Sequence, residues 1–375
     1  MTAVYIHIPF CEHICYYCDF NKVFLEGQPV DEYVDLLITE MELATKNRVL
    51  SPVQTVFVGG GTPTTLNERQ IVKLCSAIRR IFPLTVDVEF SFEANPGDLS
   101  IEKLTTMKAQ GVNRLSIGVQ SFNNDLLKQI GRVHKVKDVY QSIEHAKKVG
   151  FDNISIDLIF GLPKQTEVDF QNTLQKALAL DLPHYSAYSL IVEPKTIFYN
   201  LMQKGTLILP SQEAEASMYD YLMETMERHG KKQYEISNFA KPGYESRHNL
   251  VYWSNEHYFG FGAGAHGYLE DMRYSNHGPL RRYMEPLKTL QLPTFETKQL
   301  SLKEEMEEEV FLGLRKVSGV NKIHFLHKFG KPMDQVFQEA IEKTSGQGLL
   351  INDHEHIALT RKGRFLGNNV FREFL

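Results

Sequence analysis

The sequence predicts an α/β fold: a partial, TIM-like (β/α)6 barrel followed by a small winged-helix-like α+β domain. Three observations predict it. Over the first 240 residues, short β-branched and aromatic runs alternate with longer segments of helical period. Strand–helix repeats of this kind build a parallel sheet with helices outside. Each run also ends in a turn or polar cluster of unusual residues, and in parallel barrels such loops at strand C-termini form the active site. From Ser301 the order becomes helix, helix, helix, two short strands and a last helix, the order of a winged helix. Six units rather than eight suggest a partial barrel. An open doubly wound sheet would give the same alternation, because the pattern does not show closure.

Taken in order, strands are expected at Val4–Pro9, Thr55–Val58, Val86–Glu93, Arg114–Val119, Asn153–Phe160 and Tyr185–Val192. Helices are expected between them at Asp31–Asn47, Asn67–Ile81, Ile101–Gln110, Val136–Val149 and Glu167–Leu180. A further helix at Ser211–His229 and a short strand at Tyr234–Ser237 close a first unit at residues 1–240. Residues 241–300 form an aromatic and glycine-rich extension with a short helix between Pro279 and Pro293. Residues 301–375 make the last unit. Its helices are expected to about Lys316, at Lys322–Phe329 and at Met333–Lys343, with strands Leu349–Ile351 and His356–Leu359 and a helix from Thr360.

Composition narrows the class. With 42% hydrophobic and 23% charged residues the chain is an ordinary globular protein, and a net charge of −5 gives no reason to expect a nucleic-acid partner. The winged-helix-like unit points the same way: counted off the sequence, residues 301–375 hold 11 Lys+Arg and 11 Asp+Glu, without the basic footprint of a DNA reader. The N-terminal apolar run, Ala3 to Phe10, is too short for a signal-peptide core, and no run approaches the roughly 18 apolar residues of a membrane span. A cytoplasmic protein is expected. In that compartment thiols stay reduced, and clustered cysteines point to metal rather than disulfides.

Three of the chain's four cysteines fall within eight residues, as Cys11-x3-Cys15-x2-Cys18, just after the first strand. Three thiolates converging from a loop are one short of a closed zinc site or a fully ligated iron–sulfur cluster. A [4Fe–4S] cluster held in this way keeps one iron free to bind a small molecule. Zinc completed by His7 or His13, or thiols that merely pack as small apolar groups, would give the same spacing. Cys75, inside a helical pattern, is most simply a packing residue.

Other loops carry chemistry too. Gly59-Gly60-Gly61-Thr62-Pro63 lets the backbone approach a ligand closely, and it is neither a dinucleotide fingerprint nor a Walker loop. Glu93 ends an otherwise apolar strand, and Asp157 sits similarly inside Ile154–Phe160. A pair of such acids could hold ammonium and ribose groups, or form internal salt bridges with Arg114 or Arg132.

In this order Tyr5-Ile6-His7-Ile8-Pro9-Phe10-Cys11-x3-Cys15-x-Tyr17-Cys18, the Gly-Gly-Gly-Thr-Pro loop, Glu93-Ala94-Asn95-Pro96, Gly118-Val119-Gln120-Ser121-Phe122 and Asp157-Leu158-Ile159-Phe160-Gly161-Leu162-Pro163 resemble radical S-adenosylmethionine proteins. More narrowly, they resemble the branch holding the oxygen-independent coproporphyrinogen III dehydrogenases and the HemW-type haem chaperones. The resemblance spans nearly the whole chain. It implies that Cys11, Cys15 and Cys18 ligate a [4Fe–4S] cluster and that S-adenosyl-L-methionine binds its open iron. Tyr5, Gly60 and Glu93 match positions around that molecule. Tyr17, Gly61, Thr62, Gln120, Arg132 and Asp157 match positions that hold a second one in the dehydrogenase. An electron from the reduced cluster would then break a carbon–sulfur bond of the sulfonium and give a 5′-deoxyadenosyl radical, although the site alone does not decide whether the molecule is cleaved or only bound.

Two departures separate the branches. The dehydrogenase type usually carries a further cysteine two residues past the triad and an N-terminal extension; this chain has Asp19-Phe20, and Tyr5 stands nearly at the start. It has instead His248-Asn249-Leu250-Val251-Tyr252-Trp253, matching the H-N-x-x-Y-W motif of the chaperones and containing the only tryptophan. Imidazole is a normal axial ligand of haem iron. His248 is thus the haem-contact candidate, with His266 a second histidine that no motif singles out; a hydrogen-bonded histidine in an aromatic cluster is the plainer alternative. The resemblance implies a haem carrier serving acceptor proteins, membrane-associated ones included, with the dehydrogenase activity as the alternative. Monomer and homodimer both stay open.

Overall fold

The structure, a computed structural model, describes residues 2–375. One twelve-stranded sheet organises residues 2–299. In chain order the strands are β1 (Thr2–Ile8), β2 (Phe10–Cys11), β3 (Val23–Phe24), β4 (Val53–Gly60), β5 (Leu84–Ala94), β6 (Arg114–Gln120), β7 (Asn153–Phe160) and β8 (His184–Ser189). They continue as β9 (Lys232–Glu235), β10 (Asn238–Ala240), β11 (Tyr258–Phe261), β12 (His266–Leu269), β13 (Met272–Asn276), β14 (Thr294–Gln299), β15 (Val320–Asn321), β16 (Leu350–Asn352) and β17 (His356–Leu359). The large sheet runs β14-β13-β12-β11-β1-β4-β5-β6-β7-β8-β10-β9, while β2 and β3 form a separate pair.

Strands β11, β1 and β4 through β8 are parallel, and antiparallel strands flank them on both sides. The six expected barrel strands are all present and in parallel register. Beside them stands β11, whose Tyr258–Phe261 pairs with Ala3–Ile6 of β1. No period in the 241–300 stretch announces that strand, since it is four residues long and its partner lies more than 250 residues away.

Period-two alternation builds the barrel wall. On β1, Val4, Ile6 and Ile8 are fully buried in the core beneath the helices, whereas Tyr5 and His7 face the opposite side, as strand geometry requires. The expected helices lie at Val30–Thr45, Glu68–Ile81, Ile101–Ala109, Val136–Val149, Glu167–Leu178 and Gln212–Arg228. Their starts follow from capping: Asn67 and Thr166 each form a reciprocal capping box, which satisfies orphan N–H groups of the first turn.

The C-terminal unit is α+β, with an antiparallel sheet β15-β17-β16 and its own hydrophobic core. One expected helix, Met333–Lys343, is two: Met333–Val336 and Gln338–Gly346. Phe337 breaks it at φ −120°, and its ring packs edge-on against Phe325 and Phe374. No helix among the described residues is long and apolar enough to cross a membrane.

Candidate functional site

The cysteine loop is tied down on every side. Cys11 ends β2, and Leu25 N–H donates to its carbonyl (2.9 Å) as β2 and β3 pair. Tyr16 exchanges backbone bonds with Ile130 and Phe198 (3.0 Å each). Asn21 donates its amide to the carbonyls of Ala263 (2.7 Å) and Gly278 (2.9 Å), and its own carbonyl accepts from His7 Nε2 (2.7 Å). That last bond fixes a tautomer. A carbonyl only accepts, so Nε2 carries the proton. Burial pushes the His7 pKa down to about 4, so the ring is neutral and Nδ1 accepts from Tyr5 OH (3.0 Å). Gly60, at φ +117°, lies over the His7 ring so closely that a Cβ would come within 2.5 Å of it; on Gly61 a Cβ would come within 2.9 Å of Cys11 Sγ. Only glycine fits beside these thiols.

Cys11, Cys15 and Cys18 are free thiols lining one open cavity of about 420 Å³. Among the described residues no three His, Cys, Asp or Glu side chains converge enough to hold a single metal ion. Both nitrogens of His7 are engaged, by Asn21 O and Tyr5 OH, and His13 lines the same cavity as the thiols. Burial raises the Cys11 thiol to about 11, partly offset by a hydrogen bond from Thr62, and burial also raises Cys18. Metal binding must expel these protons.

A polar chain links two of the thiols. Thr62 Oγ1 donates to Cys11 Sγ (3.6 Å), Asn95 Nδ2 donates to Thr62 Oγ1 (3.0 Å), and Arg132 donates to Asn95 Oδ1 (2.8 Å) and to Cys15 Sγ (3.6 Å). The same cavity is walled by Tyr17, Gly60, Gly61, Thr62, Glu93, Gln120, Arg132 and Asp157. Gln120 holds a left-handed φ of +64° where the β6–β7 register shifts, a local strain of the kind found beside functional sites.

The two acids make no salt bridge to Arg114 or Arg132 among the described residues. Glu93 accepts from Gly60 N–H (2.9 Å), and Asp157 accepts from Ser116 Oγ (3.2 Å). Burial lifts Glu93 to about 7, against the pull of the Gly60 bond, and burial raises Asp157 as well. A cationic ligand in the cavity would draw both back to the ionised form.

Tyr5 and His248 lie deeper, in an inner chamber of about 190 Å³ that shares Glu93, Ser116, Asp157 and Tyr188 with the outer cavity. The H-N-x-x-Y-W stretch is a helix, Arg247–Trp253, lying across the barrel floor. Glu89 accepts from the Arg247 and His248 N–H groups (3.0 and 3.1 Å) at its N-terminus. His248 is fully buried, its Nδ1 bonded to Thr55 Oγ1 (2.9 Å) and its Nε2 to Tyr252 OH (2.9 Å), with the ring stacked on Phe57. The haem contact expected there thus meets an imidazole with neither nitrogen free in this conformation. His266 is exposed at the start of β12 and lines neither cavity.

Sequence reasoning marked Asn95 only as part of the Glu93-Ala94-Asn95-Pro96 motif and passed over Asn21 and Glu89. A signal existed for Glu89: it shares a strand face with Ser91 and Glu93, as Arg114 does with Ser116, so period-two alternation alone aims a polar set inward.

Residues 5–177 match the Radical SAM superfamily and residues 300–366 the HemN C-terminal domain. The chain is 54% identical over 376 residues to the heme chaperone HemW of Bacillus subtilis, covering 100% of this chain and 99% of the relative. It is 48% identical over 374 residues to the heme chaperone HemW of Lactococcus lactis, covering 100% and 97%. Among solved structures, the radical SAM enzyme coproporphyrinogen III oxidase (HemN) of Escherichia coli superposes with a TM-score of 0.87 at 26% identity, covering 100% of this chain and 89% of that one. From its cysteine loop to its C-terminal domain, the chain belongs to the HemW family of the radical SAM superfamily.

Proposed function

We propose that this protein is a haem chaperone: it holds a [4Fe–4S] cluster and S-adenosylmethionine, binds haem, and passes haem to acceptor proteins in a reducing, cytoplasmic compartment. What carries this reading is the full-length identity to relatives named heme chaperone HemW, in a chain with Asp19-Phe20 where a dehydrogenase would place its next cysteine. Cys11, Cys15 and Cys18 would hold the cluster. When bound, cluster and cosubstrate supply one-electron cleavage chemistry; everything else belongs to the chain. Arg132 sets its positive charge against Cys15, Thr62 donates to Cys11, and Glu93 and Asp157 offer carboxylates to the cationic groups of the cosubstrate. Haem needs apolar contact, and on the rim of the outer cavity Phe20 and Ile191 are 58% and 63% exposed.

The test is anaerobic reconstitution followed by haem titration and transfer to an apo-haem protein. Saturable haem uptake with transfer, and no decarboxylation of coproporphyrinogen III, is the expected outcome. Robust decarboxylation would overturn it and favour the dehydrogenase reading, which the close superposition on HemN supports. Because both nitrogens of His248 are engaged, the haem spectrum of His248→Asn should match that of the wild type; a shifted Soret band would make His248 the ligand after all.

A further inference from the structure

We propose that the inner chamber is a binding site for a small carboxylate, held by the guanidinium of Arg114. The observation behind it is a buried arginine whose Nε no group among the described residues meets. Arg114 is 2% exposed on the chamber wall, and its Nε has no hydrogen-bond partner among the described residues. A guanidinium stays charged in any protein environment and is buried at a cost of several kcal/mol unless an acceptor meets it.

Glu93 and Asp157 lie near enough to feel its charge, but the hydrogen bonds of the nearby carboxylates go elsewhere. Glu93 turns to the Gly60 N–H, Asp157 to Ser116, and Glu89 to the N-terminus of the floor helix. The neighbouring imidazoles bring no competing charge: His184 bonds Ser155 and Tyr234, His248 bonds Thr55 and Tyr252, and both are fully buried. Among the described residues Arg114 is thus the one cation on the chamber wall, facing the hydroxyl and amide groups of Ser116, Ser186 and Asn249.

Shape and size narrow the ligand. A planar fork of N–H donors fits a planar two-oxygen acceptor. A volume of about 190 Å³ takes a group the size of an amino acid. Two sources share this chemistry: a free short-chain acid, or the carboxylate end of an amino acid such as methionine, whose ammonium would then point towards Glu93 and Asp157. The inference is independent of the haem reading, because it rests on Arg114 and not on His248 or the apolar rim.

The test uses the full-length, cluster-reconstituted protein with acetate, L-methionine and methioninol, followed by calorimetry. Saturable binding of acetate or L-methionine is expected, with methioninol silent. Acetate and methionine of equal affinity would identify a free acid as sufficient, and tighter methionine would identify an amino acid. Arg114→Gln should abolish binding. Arg114→Lys keeps the charge without the fork and should weaken it about tenfold or more; it decides the matter if the glutamine variant does not fold. No saturable binding of either acid, binding unchanged in both variants, or methioninol binding as well as methionine would each overturn the proposal.

Discussion

Cys11 sits under two opposed demands. It must lie close against Pro9, Gly61 and Thr62 to be positioned, yet that burial pushes its thiol up to about 11, away from the thiolate a metal requires. Bound metal resolves the conflict, so Cys11→Ala, Cys15→Ala and Cys18→Ala should each abolish the visible absorbance of the reconstituted protein while leaving the far-UV spectrum intact. A retained cluster in any of the three would count against its assignment. Glu40 shows burial acting elsewhere. It accepts from Tyr283 OH, Gly262 N–H and Asn276 Nδ2, but burial still lifts its pKa from 4.5 to about 7. Between those values the folded state holds the extra proton, so this group's contribution to stability falls as pH rises through the window. In urea titrations at pH 5 and pH 8, Glu40→Gln should gain on the wild type by up to about 3 kcal/mol at the higher pH. His7 acts with the opposite sign: its pKa is lowered from 6.5 to about 4, so its contribution is lost as pH falls through that range. The cysteines, glycines and strand-end acids were legible in sequence because spacing marks them. Asn21 was not, since an asparagine whose bonds span more than 240 residues looks like any loop asparagine until the chain is folded.

The floor helix Arg247–Trp253 gives a short, aromatic segment an architectural task. Seven residues cannot sustain a helix alone; Glu89 steadies its first turn, and Ser246 caps it through the Asn249 N–H. Glu89→Ala should lower stability by about 1–3 kcal/mol by orphaning two buried N–H groups, read as a shift in the urea midpoint. At the other end Trp253 lies under the Arg315 guanidinium, 4.5 Å from ring centroid to carbon, and Arg315 reaches on towards Phe371 of the C-terminal unit. As the chain's only tryptophan, it reports on that junction. Arg315→Met should shift its emission without changing cluster absorbance. Local periodicity predicted the six strand–helix units because each is a local pattern. It could not predict this helix or β11, whose reasons for existing, Glu89 and β1, come from distant parts of the chain.

Across the molecule the two cores meet rather than stand apart. Glu235 bridges to Lys316, Ile236 N–H donates to Arg315 O (3.1 Å), Val317 N–H donates to Tyr234 O (3.0 Å), and Phe365 packs on Tyr219 at 5.1 Å. Unfolding followed by far-UV circular dichroism and by Trp253 emission should therefore give coincident midpoints, whereas two separated transitions would show independent units. The same architecture couples the two volumes. The inner chamber and the outer cavity share Glu93, Ser116, Asp157 and Tyr188 as a common wall. A ligand that engages Glu93 or Asp157 from one side changes the charge and the hydrogen bonding that an occupant of the other side meets.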